Sequence, residues 1–100
     1  MDIEFKFIGW NNSTEPNGKK HDKVWTAFSV NGVHYGGWGA RGKSLSFKKY
    51  SSSWEQRNKI EDKELTYNKV DEFILFAMFP NFEAEVSQRL LFCVLANKVK

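Results

Sequence analysis

At 100 residues, with 41% hydrophobic and 27% charged content, the chain is the size and make-up of a single globular domain with one modest core. One cysteine, Cys93, excludes a disulfide framework and fits a reducing, cytoplasmic setting; the N-terminal residues carry no leader pattern, and the longest apolar runs, 73–79 and 90–96, are too short to cross a membrane. The formal charge is +3, with eight Lys/Arg against four acidic residues in the first half and seven against eight in the second, which favours a polyanion or an acidic protein surface as partner.

Polar and apolar residues alternate through 2–8, with Ile3, Phe5 and Phe7 on one side, so a half-buried strand is expected there. Residues 11–21 are nearly all turn formers and read as a solvated, mobile loop. Val24–Val30 follows as a strand with Val24, Thr26, Phe28 and Val30 on one face and Trp25 and Ala27 on the other. Asn31-Gly32 is a strong hairpin signal, since a type I′ turn needs positive φ at both positions. It should pair Val24–Val30 with Val33–Trp38. Gly39–Gly42 makes the next turn. Lys43–Tyr50 is then a fourth strand, with Leu45 and Phe47 facing one way and Ser44, Ser46 and Lys48 the other.

The period then changes from two to that of a helix. Ser52-Ser-Trp-Glu55 has the form of a capping box, and a mostly polar helix should run to about Leu65. Its large apolar residues are Trp54, Ile60 and Leu65, so it should rest lightly on the sheet. Asn68 is placed to cap a second helix, with Asp71 and Glu72 in its first turns and Val70, Phe73, Ile74, Ala77 and Met78 at helical spacing. The run Phe73–Phe79 also suits a buried strand, and the spacing leaves both open. Pro80 ends that element. From Asn81 a last helix is expected, its stripe formed by Phe82, Val86, Leu90, Leu91, Cys93, Val94 and Leu95, with Lys98 and Lys100 near its end. The expected architecture is α+β: an antiparallel meander of about four strands, then two or three helices packed on one face. Residues 1–22 form an N-terminal strand and loop, 23–70 the core, and 71–100 an apolar helical tail.

Four of the seven glycines, Gly36, Gly37, Gly39 and Gly42, fall within seven residues, with Trp38 and Arg41 among them and Lys43, Lys48 and Lys49 following. Glycine in a strand gives up packing, so the cluster calls for either a sharply turned hairpin or the close approach of another backbone. Trp38, Arg41 and Lys43 suit a phosphodiester backbone, the indole stacking and the cations meeting phosphate. Other chemistry finds less support. Gly37 to Ser44 matches the P-loop string, but a strand rather than a helix follows it. His21 and His34 lack metal-like companions, and no nucleophile–base pair is adjacent in sequence. Neither an enzyme nor a cofactor is indicated.

Lys23–Val30, the turn, Tyr35-Gly-Gly-Trp-Gly-Ala-Arg-Gly42, Lys43–Tyr50 and the helix after Ser52 resemble the WGR domain over roughly residues 23–70. That family occurs in DNA-dependent poly(ADP-ribose) polymerases and in small bacterial proteins. The resemblance implies a Trp-Gly-Arg strand within a sheet, contact of the motif Trp and Arg with the sugar-phosphate backbone at a DNA end, and interdomain contacts. The family spaces its motif Trp-Gly-Arg-x-Gly, whereas here Arg41 stands one position later. On a regular strand that shift turns the side chain to the opposite face. If the backbone is already turning at Gly39, the Arg reaches the same side. Two readings result. The first is a nucleic-acid-binding module, DNA favoured over RNA, with Trp38, Gly39, Arg41, Lys43, Lys48 and Lys49 on the sugar-phosphate backbone. The second is a protein-interaction module, monomeric or homodimeric, binding through exposed aromatics.

Overall fold

A computed structural model describes residues 2–91. The α+β class holds. Strands β1 (Ile3–Asn11), β2 (Lys23–Val30), β3 (Val33–Ala40) and β4 (Ser46–Tyr50) form an antiparallel meander, and a short β5 (Asn68–Lys69) pairs with β1 at Gly9 and Trp10. The sheet order is therefore β4-β3-β2-β1-β5. Between its two edges the chain crosses the sheet as helix α1 (Ser53–Lys63). Helices α2 (Glu72–Met78) and α3 (Phe82–Val86) and a π-helical turn, Ser87–Leu91, follow. Among the described residues no helix is long and apolar enough to cross a membrane.

The β2–β3 hairpin closes as its turn residues dictate. Val30 pairs with Val33 across Asn31 (φ 52°) and Gly32 (φ +77°). In β1 the expected alternation breaks. Phe5 pairs with Phe28 and Phe7 with Ala27, so Lys6 is an extra residue in a β-bulge. That single insertion turns Phe7 away from Ile3 and Phe5 to the other face of the sheet, where it meets Trp25, Ala27 and Tyr50. Beside the bulge, the buried Thr26 hydroxyl donates to the Phe7 carbonyl at 2.9 Å.

Because apolar residues line both sides of β1 and β2, helices cover both faces rather than one. On one face α2 and α3 pack Leu75, Met78, Phe79, Phe82 and Val86 against Ile8, Val24, Phe28, Tyr35 and Leu45. Phe82 is central there, its ring centroid 5.5 Å from that of Phe28 and 5.7 Å from that of Phe5. The helix-or-strand question over Phe73–Phe79 thus resolves as a helix. Its cap is Asp71, which accepts the Ile74 N–H at 3.2 Å, while Asn68 belongs to β5 instead. The stripe it buries is Leu75 and Met78, leaving Phe73 77% exposed. Leu90 is half-buried against the same core, and the stripe expected to continue through Cys93, Val94 and Leu95 lies outside the described residues.

On the other face lies α1. Ser52 caps it by accepting the Glu55 N–H, but the Glu55 carboxylate reaches back to Ser51 rather than to Ser52, a capping box displaced by one residue. Of the three large apolar residues expected in this helix, Ile60 alone packs inward, while Trp54 and Leu65 are 70% and 83% exposed. The inward positions are Gln56 and Ile60, continued by Tyr67 just after the helix. Gln56 fastens the helix to the sheet. Its buried Nε2 donates to the carbonyls of Phe28 and Tyr35, cross-strand partners in β2 and β3, at 3.0 and 2.9 Å.

The turn glycine gives a direct check. A Cβ at Gly32 would meet no atom within 4 Å, so a substitution there tests backbone strain alone. Gly32→Val should lower stability in urea by more than about 1 kcal/mol; an unchanged midpoint would contradict the I′ turn.

Candidate nucleic-acid interface

Strand β3 is built from residues that leave room. A Cβ at Gly36 would lie 2.7 Å from the Tyr50 hydroxyl and 3.0 Å from its ring, and one at Gly37 would lie 3.0 Å from the Phe47 ring. Rings from β4 therefore lie over β3 on both faces. The close approach inferred from these glycines is that of aromatic side chains within the fold. Gly39 backs onto the Ser44 carbonyl, 3.1 Å from its would-be Cβ, and Gly42 (φ +73°) turns the chain. Gly39 thus serves the turn into β4.

Trp38 stands between these small residues on the α1 face, with Trp25 as its β2 partner and Ser46 as its β4 partner. It is 37% exposed, whereas Trp25 and Tyr50 are buried. Trp38, Trp25, Tyr50 and Lys48 from the sheet, Lys59 and Lys63 from α1 and Tyr67 beyond it line a groove of about 260 Å³. The Lys48 ammonium lies 5.6 Å from the centre of the Tyr50 ring, and that of Lys63 lies 5.9 Å from the centre of the Tyr67 ring. Burial, and then the charge of Glu55, pushes the Tyr50 hydroxyl above its ordinary pKa; burial alone raises that of Tyr67. Both phenols stay neutral beside the lysines at physiological pH.

The six residues singled out by sequence therefore part company. Trp38 and Lys48 share the groove. Arg41 does not reach it. Its Nε donates to Asp22 Oδ2 at 2.7 Å, and its guanidinium lies 5.8 Å from the centre of the Trp10 ring, which packs on the α2–α3 face. The displaced Arg has thus turned to the face opposite Trp38. Lys43 lies at the turn beside Pro80, Asn81 and Glu85. Lys49, opposite Tyr35, projects on the α2–α3 side of the edge strand. In their place the fold supplies Lys59 and Lys63. Their four-residue spacing was visible in the sequence, but which side of α1 met the sheet was not, since the inward residues include a glutamine.

Elsewhere, Ser29 Oγ and His34 Nδ1 lie 3.0 Å apart across β2 and β3, but the serine is buried and the nearby Glu4 carboxylate is bonded to Lys6. Among the described residues no three His, Cys, Asp or Glu side chains converge to hold a metal. Against protein-family models, curated proteins and solved structures, the chain shows no significant match.

The Arg41 clamp has its own pH signature. Hydrogen bonds from Arg41, then from the Trp10 indole at 2.8 Å, hold the Asp22 carboxyl below its ordinary pKa. A depressed carboxyl stabilises the fold above its unfolded value of about 3.9, and the contribution is lost as pH falls through the folded value. Urea titrations of wild type and Asp22→Asn should differ at neutral pH and converge as pH falls below the ordinary carboxylate range. A gap constant across that range would deny the clamp.

Proposed function

We propose that the chain is a non-enzymatic nucleic-acid-binding module whose contact surface is the groove between α1 and the β3–β4 edge. The observation that carries this reading is the meeting of one exposed indole, Trp38, with Lys48, Lys59 and Lys63 in a groove lined by no acidic side chain among the described residues. Lysine ammonium groups neutralise phosphate as point charges, and an indole face stacks on any base or sugar. The resemblance to the WGR domain supports the same role for Trp38, while Arg41, held by Asp22 and Trp10, is left out of the contact. Binding through such groups depends strongly on salt and weakly on sequence. A protein partner is the second reading, favoured by the exposure of Trp54, Leu65 and Phe73, and it calls for an aromatic-centred contact that salt disturbs far less.

Fluorescence anisotropy with labelled oligonucleotides at a series of salt concentrations separates the two. Three phosphate contacts predict a slope of log K against log salt of about −2 on single strands. The pair Lys59→Gln and Lys63→Gln should bring that slope to about −1 or shallower. Binding to no nucleic acid at low salt would overturn the reading in favour of a protein partner.

A further inference from the structure

The groove also bears on the kind of nucleic acid, an inference that rests on the reading above. We infer that the ligand is an unpaired strand of DNA or RNA, with one base stacked on the open face of Trp38 and neighbouring phosphates held by Lys59 and Lys63.

Four observations converge on this. First, of the groove's aromatic side chains, Trp25 and Tyr50 are buried and Tyr67 is half-buried, so Trp38 offers the most open ring. Its cross-strand partner, Trp25, is buried and lines the same groove. An interior base of a duplex is already stacked on both faces and presents only its edges, so an unpaired strand offers the indole base faces along its length where a duplex offers them at its ends alone. Second, Lys59 and Lys63 lie one turn apart on α1, a rise of about 6 Å, comparable with the separation of consecutive phosphates along one extended strand. Lys48 stands on the sheet side of the same groove. Third, among the described residues the charged side chains of the lining are three lysines, compact point charges, with no Arg, Asn, Gln, Asp or Glu to read a base edge through a planar pair of hydrogen bonds. What remains is stacking and charge, the combination that tolerates any sequence in a single strand. Fourth, of the two grooves beside α1 this one alone carries net positive charge. A larger groove on the other flank, about 520 Å³, sets Lys6 and Arg57 against Glu61 and Glu64 and offers an anion no net attraction. Glu55, whose charge acts on Tyr50 in the Trp38 groove, has its carboxylate already bonded to Ser51.

The test uses the whole chain and four labelled probes of equal length at low salt: single-stranded DNA, single-stranded RNA, duplex DNA, and a strand whose central bases are replaced by abasic sites. Either unmodified single strand should bind at least roughly tenfold tighter than the duplex, and the abasic strand should lose roughly 5- to 150-fold. Trp38→Ala should impose the same loss on the unmodified strands and a distinctly smaller one on the duplex, while Trp38→Phe retains most of the affinity. Should Trp38→Ala fail to fold, the abasic probe on wild type and the Trp38→Phe variant still decide the matter. A duplex bound as tightly as the single strands, or an abasic strand bound as tightly as the unmodified one, overturns this inference and leaves the nucleic-acid reading standing. No binding to any probe overturns both.

Discussion

The absence of side chains along the middle of β3 sets the rest of the structure. With no Cβ at positions 36 and 37, the Tyr50 and Phe47 rings of β4 close onto β3, one on each face. Phe47 joins the Phe28–Phe82 ring cluster, and Tyr50 joins the smaller core under α1. Each ring recovers apolar contact that a glycine would otherwise forfeit. The consequence for function is local. On the α1 face, Trp38 follows Gly36 and precedes Ala40 along its strand and has Ser46 beside it, and it remains 37% exposed. The same economy of side chains that lets β4 dock leaves one indole open.

The depth of the groove is set by α1, and α1 is held by Gln56. A glutamine amide bonding to two strand carbonyls fixes both the height of the helix and its rotation, and it does so without the apolar stripe usual for a helix on a sheet. With Gln56 and Ile60 turned inward, Lys59 and Lys63 fall on the side toward β4, and Arg57, Glu61 and Glu64 on the side toward the Lys6 bulge. Charge is thereby sorted across one helix. Arg41 is drawn into structure: its bonds to Asp22, beside the Trp10 indole, join the end of β3 to the loop before β2.

Much of the strand layout was legible because its signals are local. Asn31-Gly32 can hardly form anything but a tight hairpin, and the alternation of Leu45, Phe47 and Lys48 correctly assigns their faces. The Lys6 bulge left no such mark: a one-residue insertion is invisible in a pattern that alternates on paper without interruption. On α1 and α2 the largest apolar residues misled. Trp54, Leu65 and Phe73 are exposed; Ile60 and Met78 pack inward as their spacing allowed, joined by Gln56 and Leu75, where hydrogen bonding and packing shape overrode size. For the groove, Trp38 and Lys48 could be named from the sequence, and Arg41, Lys43 and Lys49 followed from proximity in the chain. That proximity failed because Lys49 points to the face opposite its strand neighbour Lys48, and Arg41 and Lys43 lie in the turn between β3 and β4, away from the groove. Lys59 and Lys63 enter only through the crossing of α1, which no local pattern encodes.

The most direct test of the account maps the contact itself. In a proton–nitrogen correlation spectrum of the full chain, the indole signals of Trp10, Trp25, Trp38 and Trp54 report from different parts of the surface. Titration with a short single-stranded oligonucleotide should shift the Trp38 indole and the amides of Lys48, Lys59 and Lys63, with Trp10 and Trp54 unmoved. Shifts centred on Arg41, Lys43 and Trp10, or on Trp54 and Phe73, with Trp38 unmoved, would contradict it.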